Sequence, residues 1–222
     1  MGLVLWDFDG TLAERPGMWR GCLVEALDEH ASGHDVSADA LIPYLREGFP
    51  WHRPDQPHLD LCTPEAWWEA VGLVLARAYE AVGIPAERAA ELAVLARRRY
   101  VDPSWWRVFG DTVATLGRLR QHGWRHVILS NHVPELGALV DRLGLARFLE
   151  EVVCSAVIGY EKPHPEAFAG ALRSRRKGEP AWMVGDNAVA DVAGARRAGL
   201  RAVRVRTNGV SLEAAADPIL AS

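Results

Sequence analysis

Five short runs in this 222-residue chain are apolar at nearly every position: "LVLW" (3–6), "HVILS" (126–130), "VVCSA" (152–156), "AWMVGD" (181–186) and "RAVRV" (201–205). A strand with one face in water alternates apolar and polar residues, whereas a strand covered on both faces does not. Uniform runs therefore predict a parallel sheet buried between two layers of helices. Helix-length segments lie between the runs, among them "DTVATLGRLRQHG", "VPELGALVDRLGL" and "DVAGARRAG", the first and last closing on Gly123 and Gly199. Strand and helix alternate, which gives an α/β fold: a Rossmann-like core whose parallel sheet has five strands or more.

Residues 15–104 break the alternation. They read as helices without strands: "MWRGCLVEALDEHA", "TPEAWWEAVGLVLARAYEAVG" and "PAERAAELAVLARRRYV". Thr63 before Pro64 is an N-cap with proline at the first helical position, and Pro85 opens the next helix similarly. The Pro- and His-rich stretch "GFPWHRPDQPHLDLC" (48–62) reads as a loop. The expected division is thus a core of residues 1–14 and 105–222 with an inserted all-helical unit at 15–104. No internal repeat or low-complexity tract is visible.

Composition narrows the class. With 49% hydrophobic and 24% charged residues the chain can bury a substantial core, and a net charge of −4 with dispersed basic residues does not suit nucleic-acid binding. Arg97-Arg98-Arg99 ends a helix, where positive charge suits the dipole, and reads as a solvated face. Cys22, Cys62 and Cys154 are far apart and form no C-x-x-C pair, so neither a disulfide framework nor a zinc site is indicated. The apolar start is short, lacks a basic leader region, and has Trp6 where myristoylation needs Ser or Thr, so no secretion, lipidation or membrane span is expected. A cytoplasmic setting follows as the expectation. The sequence carries no signature of an oligomeric state.

Ligands of open α/β sheets bind beyond the carboxyl ends of the strands. The runs end there in Asp7, Asp9 and Thr11, in Ser130 and Asn131, and in Asp186 with Asp191 one helical turn on; Lys162 follows the third run in "GYEKPHP". Carboxylates gathered without compensation repel, and one or more would protonate. Lys162 and a bound cation resolve the conflict, and an all-oxygen donor set favours Mg²⁺. A carboxylate nucleophile, a hydroxyl pair, a lysine and Mg²⁺ suit phosphoryl transfer. Asp9, two residues from Asp7, then suits the general acid and base. The D-x-D pair alone is a weak signal, since such pairs also occur as caps and turns.

In order and spacing these segments resemble the four motifs of the haloacid dehalogenase superfamily in its phosphatase branch. They are "DFDGTL" (7–12), "LSN" (129–131), "EKPHPEAF" (161–168) and "VGDNAVADVAGARRAG" (184–199), and the helical insert is similar in position to the family's C1-type cap. The resemblance implies Asp7 as nucleophile and Asp9 as the group that protonates the leaving alcohol and then activates water. It implies Mg²⁺ held by Asp7, the Asp9 backbone carbonyl and Asp186, with Asp191 supporting the metal's water shell or orienting Lys162. Thr11, Ser130 and Asn131 would bind phosphoryl oxygens and Lys162 would neutralise them. The implied substrate is a small phosphorylated metabolite. A phosphosugar mutase shares the motif set; a haloacid dehalogenase lacks the second aspartate, so Asp9 opposes that reading; a non-catalytic binding module would have lost Asp7 or Lys162.

Bland readings stand beside these. Thr11 also suits a local turn cap, Asn187 a helix start, and His132 and His164 structural positions. His52 and His58 in the loop, with Trp51 and Arg53, suit substrate recognition and plain packing equally. Trp19 and Arg20 join them as candidates for substrate contact. Of the adjacent pairs Trp67-Trp68 and Trp105-Trp106, at most one member of each is expected on a single core face.

Overall fold

A computed structural model describes residues 2–31 and 33–222. In chain order its elements are β1 (Leu3–Trp6), β2 (Ala13–Glu14), α1 (Met18–His30), α2 (Ala38–Leu41), α3 (Pro64–Ala81), α4 (Ala86–Val101), β3 (Arg107–Val108) and α5 (Thr112–Gln121). There follow β4 (Arg125–Ser130), α6 (Leu136–Arg142), β5 (Glu151–Cys154), α7 (Ser155–Ile158), α8 (Pro165–Ala171), β6 (Ala181–Gly185), α9 (Gly194–Arg197), β7 (Arg201–Arg204) and α10 (Leu212–Leu220). The five expected strands form one sheet in the order β5-β4-β1-β6-β7, and every neighbouring pair is parallel.

The alternation of side chains along a strand divides the core in two. Leu3 and Leu5 of β1, with Val127, Leu129 and Met183, face Phe168, Ala171 and Ala195 from α8 and α9. Val4 and Trp6 face the other way, toward Leu116, Leu119, Leu136 and Ile219 from α5, α6 and α10. Both faces of the central strands β1, β4 and β6 are dry, which is why their runs are apolar nearly throughout, whereas the edge strand β7 exposes Arg201 and Arg204. From β1 the chain builds outward through β4 to β5, then crosses back to β6 and β7. The crevice where the order reverses therefore opens at the carboxyl end of β1.

One run ends early. Ser155 and Ala156, read as strand, begin α7 instead, because the Ser155 hydroxyl accepts a hydrogen bond from the His132 backbone N–H at 3.1 Å and Gly159, at φ 78°, closes the turn. Two short strands escaped the sequence reading: β2 and β3 pair antiparallel where the chain leaves the sheet and returns to it. Between them lie helices α1 to α4 and four short 3₁₀ turns, two of which fall in the stretch read as a loop. Thr63 caps α3 by accepting from the Ala66 N–H at 3.2 Å.

The adjacent tryptophans take different faces of α3, as expected, yet neither is left in solvent. Trp67 and Trp68 are both buried, because α3 lies between two surfaces. Trp67 packs into the insert against Trp51 at 6.2 Å, while the Trp68 indole N–H donates to both Glu135 oxygens, at 2.9 and 3.0 Å, ahead of α6. Nor are the three arginines one solvated face. Arg97 pairs with Glu135 at 2.9 Å and stacks on Trp68, and Arg99 pairs with Glu29, leaving Arg98 exposed. Of the second pair, Trp106 is buried and Trp105 half-buried beside Arg15 and Arg99. The three cysteines are free thiols, and among the described residues no helix is long and apolar enough to cross a membrane.

A buried imidazole in β4 links the sheet to α5. The Trp6 indole N–H donates to His126 Nδ1 at 3.1 Å, and His126 Nε2 donates to the Leu116 carbonyl at 3.1 Å. A second proton would set two N–H groups against each other. Burial, with smaller opposing and reinforcing effects from Leu116 and Arg120, lowers this group to about 4. An unfolded histidine titrates near ~6.5, so between those values only the unfolded chain takes the proton and stability falls as pH falls through that window. We expect the denaturation midpoint to drop between roughly pH 6.5 and pH 4 while NMR shows a neutral His126 still protonated at Nε2 at about pH 5; a folded-state titration near 6.5 would contradict this.

Candidate active site

Strand β1 delivers Asp7 to the crevice, and the Asp7 N–H bonds the Val184 carbonyl of β6 at 2.9 Å, so the carboxylate starts from a fixed backbone. Both of its oxygens are engaged. Oδ1 accepts from Ser130 Oγ at 2.9 Å and from Lys162 Nζ at 2.7 Å, while Oδ2 accepts from Thr11 Oγ1 at 3.2 Å. Lys162 Nζ also donates to Asp191 Oδ1 at 2.6 Å, and Asp191 Oδ2 accepts the Asn187 N–H at 2.9 Å. Lys162 and Asp191 are almost wholly buried.

Two glycines make this closeness possible. Gly10 turns the chain at φ 75°, and a Cβ there would lie 2.6 Å from Asp186 Oδ2. A Cβ on Gly185, at the end of β6, would lie 2.2 Å from Asp191 Oδ2. Any larger residue at either position would push apart the groups that the site needs together.

The electrostatics follow from the crowding. Burial raises the Asp9 carboxyl well above the usual carboxylate range, and the charges of Asp7 and Asp186 raise it further. Burial, then Asp7 and Asp191, raises Asp186 to about 6. Burial alone would lower the Lys162 ammonium, but Asp191 and Asp7 reverse that, so it is held firmly in its charged form. Carboxylate oxygens of Asp7, Asp186 and Asp191 lie within 4.8 Å of one another, and the surplus negative charge with hard oxygen donors fits a divalent cation such as Mg²⁺. The Asp9 side chain stands outside that trio.

The crevice, about 370 Å³, brings together Asp7, Asp9, Ser130, Asn131, Lys162, Asp186 and Asp191. Thr11 is not on its wall: it is fully buried beneath Asp7, orienting the carboxylate. The Asn131 side chain clamps the lysine's backbone, its Oδ1 accepting the Lys162 N–H at 2.7 Å and its Nδ2 donating to the Lys162 carbonyl at 2.9 Å. Asn187 starts the helical turn by accepting from the Val189 and Ala190 N–H groups, the bland reading of that residue.

His132 is buried among Phe8, Tyr100 and Trp106, and burial lowers it to about 4. His164 caps α8. His58 is buried in a hydrogen-bond contact with Glu161, Nε2 to Oε1 at 3.1 Å, which fastens the loop to the segment carrying Lys162. His52 is exposed at the edge of Phe49 and Trp51. Of the four insert candidates, Trp19 and Trp51 reach the crevice, joined by Met18, Pro54 and Tyr100, which sequence reasoning did not single out. Arg20 pairs with Asp39 on the exposed surface, and Arg53 lines neighbouring grooves. Only the spacing of aromatics in three separate segments hinted at this wall.

Comparison with known proteins agrees with the geometry. A family model described as haloacid dehalogenase-like hydrolase matches residues 1–199. The chain is 31% identical over 211 residues to a glyceraldehyde 3-phosphate phosphatase of Methanopyrus kandleri, covering 91% of this chain and 83% of that one. It is 31% identical to a phosphoglycolate phosphatase of Rhodospirillum rubrum, covering 96% and 83%. Its fold matches the putative HAD-hydrolase YfnB of Bacillus subtilis, a structure described as bound to magnesium, with TM-score 0.70, 18% identity and coverage of 93% and 89%. The chain belongs to the haloacid dehalogenase-like hydrolases.

Proposed function

We propose that the protein is a Mg²⁺-dependent phosphatase that hydrolyses a small phosphorylated metabolite through a phosphoaspartyl intermediate on Asp7. The observation that supports this most is the pairing of two unlike carboxyls on one crevice. Asp7 is held at both oxygens by Lys162, Ser130 and Thr11, while Asp9 is raised toward its protonated form. Two aspartates so close can divide nucleophile and acid between them only if their environments differ. Phosphatase names among the relatives support the same reaction class.

In the first step an Asp7 oxygen attacks phosphorus, the bond from phosphorus to the alcohol oxygen breaks, and the Asp9 proton passes to that oxygen. In the second, Asp9, now a carboxylate, takes a proton from water as the water oxygen attacks phosphorus, and inorganic phosphate leaves Asp7 restored. Lys162 offsets the charge of the phosphoryl oxygens, and Asp191 and Asn131 keep it in place. Mg²⁺ held by Asp7, Asp186 and the Asp9 carbonyl would neutralise further charge on the transferred group. The helices of residues 15–104 would act as a cap over the crevice, limiting water and choosing the leaving group.

Hydrolysis of an aryl phosphate is expected to require Mg²⁺, to stop with EDTA, and to return when Mg²⁺ is restored. Asp7→Asn should abolish turnover, and Asp9→Asn should reduce it by about 10²–10⁴-fold. Wild-type inactivity across a panel of phosphorylated metabolites, or unchanged activity in either variant, would refute the mechanism. The two hydrogen bonds of Asn131 are worth about 1 kcal/mol each, so Asn131→Ala should lower kcat/KM about tenfold or more. A variant with wild-type kcat/KM would remove Asn131 from any part in holding Lys162.

A further inference from the structure

The floor and the wall of the crevice differ sharply in character. All of its charged residues are on the floor at the strand ends, while the insert contributes Met18, Trp19, Trp51, Pro54 and Tyr100. Trp19 is locked in that wall, stacked on Tyr100 with ring centroids 3.9 Å apart and planes 6° from parallel. Trp51 is stacked on Phe49 at 4.6 Å and stands beside Trp19 at 6.3 Å. The wall is therefore a preformed aromatic surface with its ring orientations already fixed.

Its lack of positive charge is equally informative. Among the described residues Lys162 is the one cation lining the crevice, and Asp7 and Asp191 already hold it. Nearby arginines are held by other groups or open on other surfaces: Arg15 pairs with Glu25, Arg206 with Asp111, the Arg204 side chain donates to the Asp186 carbonyl, and Arg53 lines the neighbouring grooves. A leaving group bearing a carboxylate or a second phosphate would give up its hydration against apolar rings, above a floor of aspartates, with no cation on the wall itself to receive it.

Resting on the phosphatase reading above, we infer that the substrate is a phosphate monoester whose alcohol part is uncharged and presents a flat or apolar body to the Met18–Trp19–Trp51–Tyr100 wall. Esters whose alcohol carries a carboxylate or a second phosphate are rejected at this wall. Selectivity of this kind comes from placing unpaired charge against the wrong partner as much as from attraction to the right one.

A matched pair of substrates tests this: phenyl phosphate against 4-carboxyphenyl phosphate, with purified full-length protein and Mg²⁺. We expect kcat/KM to favour phenyl phosphate by about tenfold or more. Met18→Lys and Trp51→Arg each place a cation at the wall and should shift that ratio toward the carboxylated ester by a similar factor. Equal efficiency on the two esters in the wild type, or a ratio that both variants leave unchanged, overturns the substrate inference and leaves the phosphatase reading standing. Turnover of neither ester, nor of any other phosphate monoester, overturns the phosphatase reading itself.

Discussion

Burial of the Lys162 ammonium between Asp7 and Asp191 is the constraint from which the rest of the site follows. Removing an ammonium from water costs several kcal/mol, and only close, well-oriented partners return that energy. The distances of 2.7 and 2.6 Å meet the requirement, and the two aspartates come from opposite sides of the switch point. One partner is at the end of β1 and the other lies beyond β6, so the lysine ties neighbouring strands together at their carboxyl ends. Removing either aspartate would leave the charge half-compensated. Removing the lysine would leave the aspartates facing one another.

That arrangement explains the backbone around it. Asp191 can approach β6 only because Gly185 has no side chain, and Asp186 can approach the first loop only because Gly10 has none. Asn131 holds the lysine's own backbone at both its N–H and its carbonyl, so β4 sets the position of Lys162 without touching the ammonium. The charged group is thus fixed twice, by ionic partners at its tip and by amide hydrogen bonds at its base. Such double fixing suits a site that works by pre-aimed charge.

The sheet and the floor of the site were legible because both depend on local signals. Uniform apolar runs mark strands buried on two faces, and carboxylates, hydroxyls and a lysine just after them mark a strand-end site. What sequence did not disclose depends on partners distant along the chain. Trp68 is buried because Glu135, 67 positions away, accepts from its indole. Arg97 leaves the solvated face for the same carboxylate, 38 positions away. His58, open between recognition and packing, meets Glu161 across 103 positions. Thr11 and Asn131 show a subtler limit. Their place in the motifs was clear, but whether a hydroxyl or amide turns to the crevice or to a neighbouring residue depends on rotamers that spacing does not encode.

Phe8 connects these two kinds of information. It separates Asp7 from Asp9, and in an extended segment alternate residues point to opposite sides, so two aspartates directed to the crevice require the residue between them to point away. Phe8 is fully buried and packs against Trp106 at 5.3 Å and His132 at 5.5 Å. Trp106 in turn donates its indole N–H to the Tyr100 carbonyl at 2.8 Å, and Tyr100 is stacked beneath Trp19 in the aromatic wall. The middle residue of the D-x-D pair therefore touches the segment by which the helical insert rejoins the sheet. A change of volume at Phe8 would be transmitted in both directions, to the carboxylates on either side of it and to the rings that face the leaving group, because close-packed interiors pass on strain. The apolar residue between the aspartates thus joins the floor of the crevice to its wall.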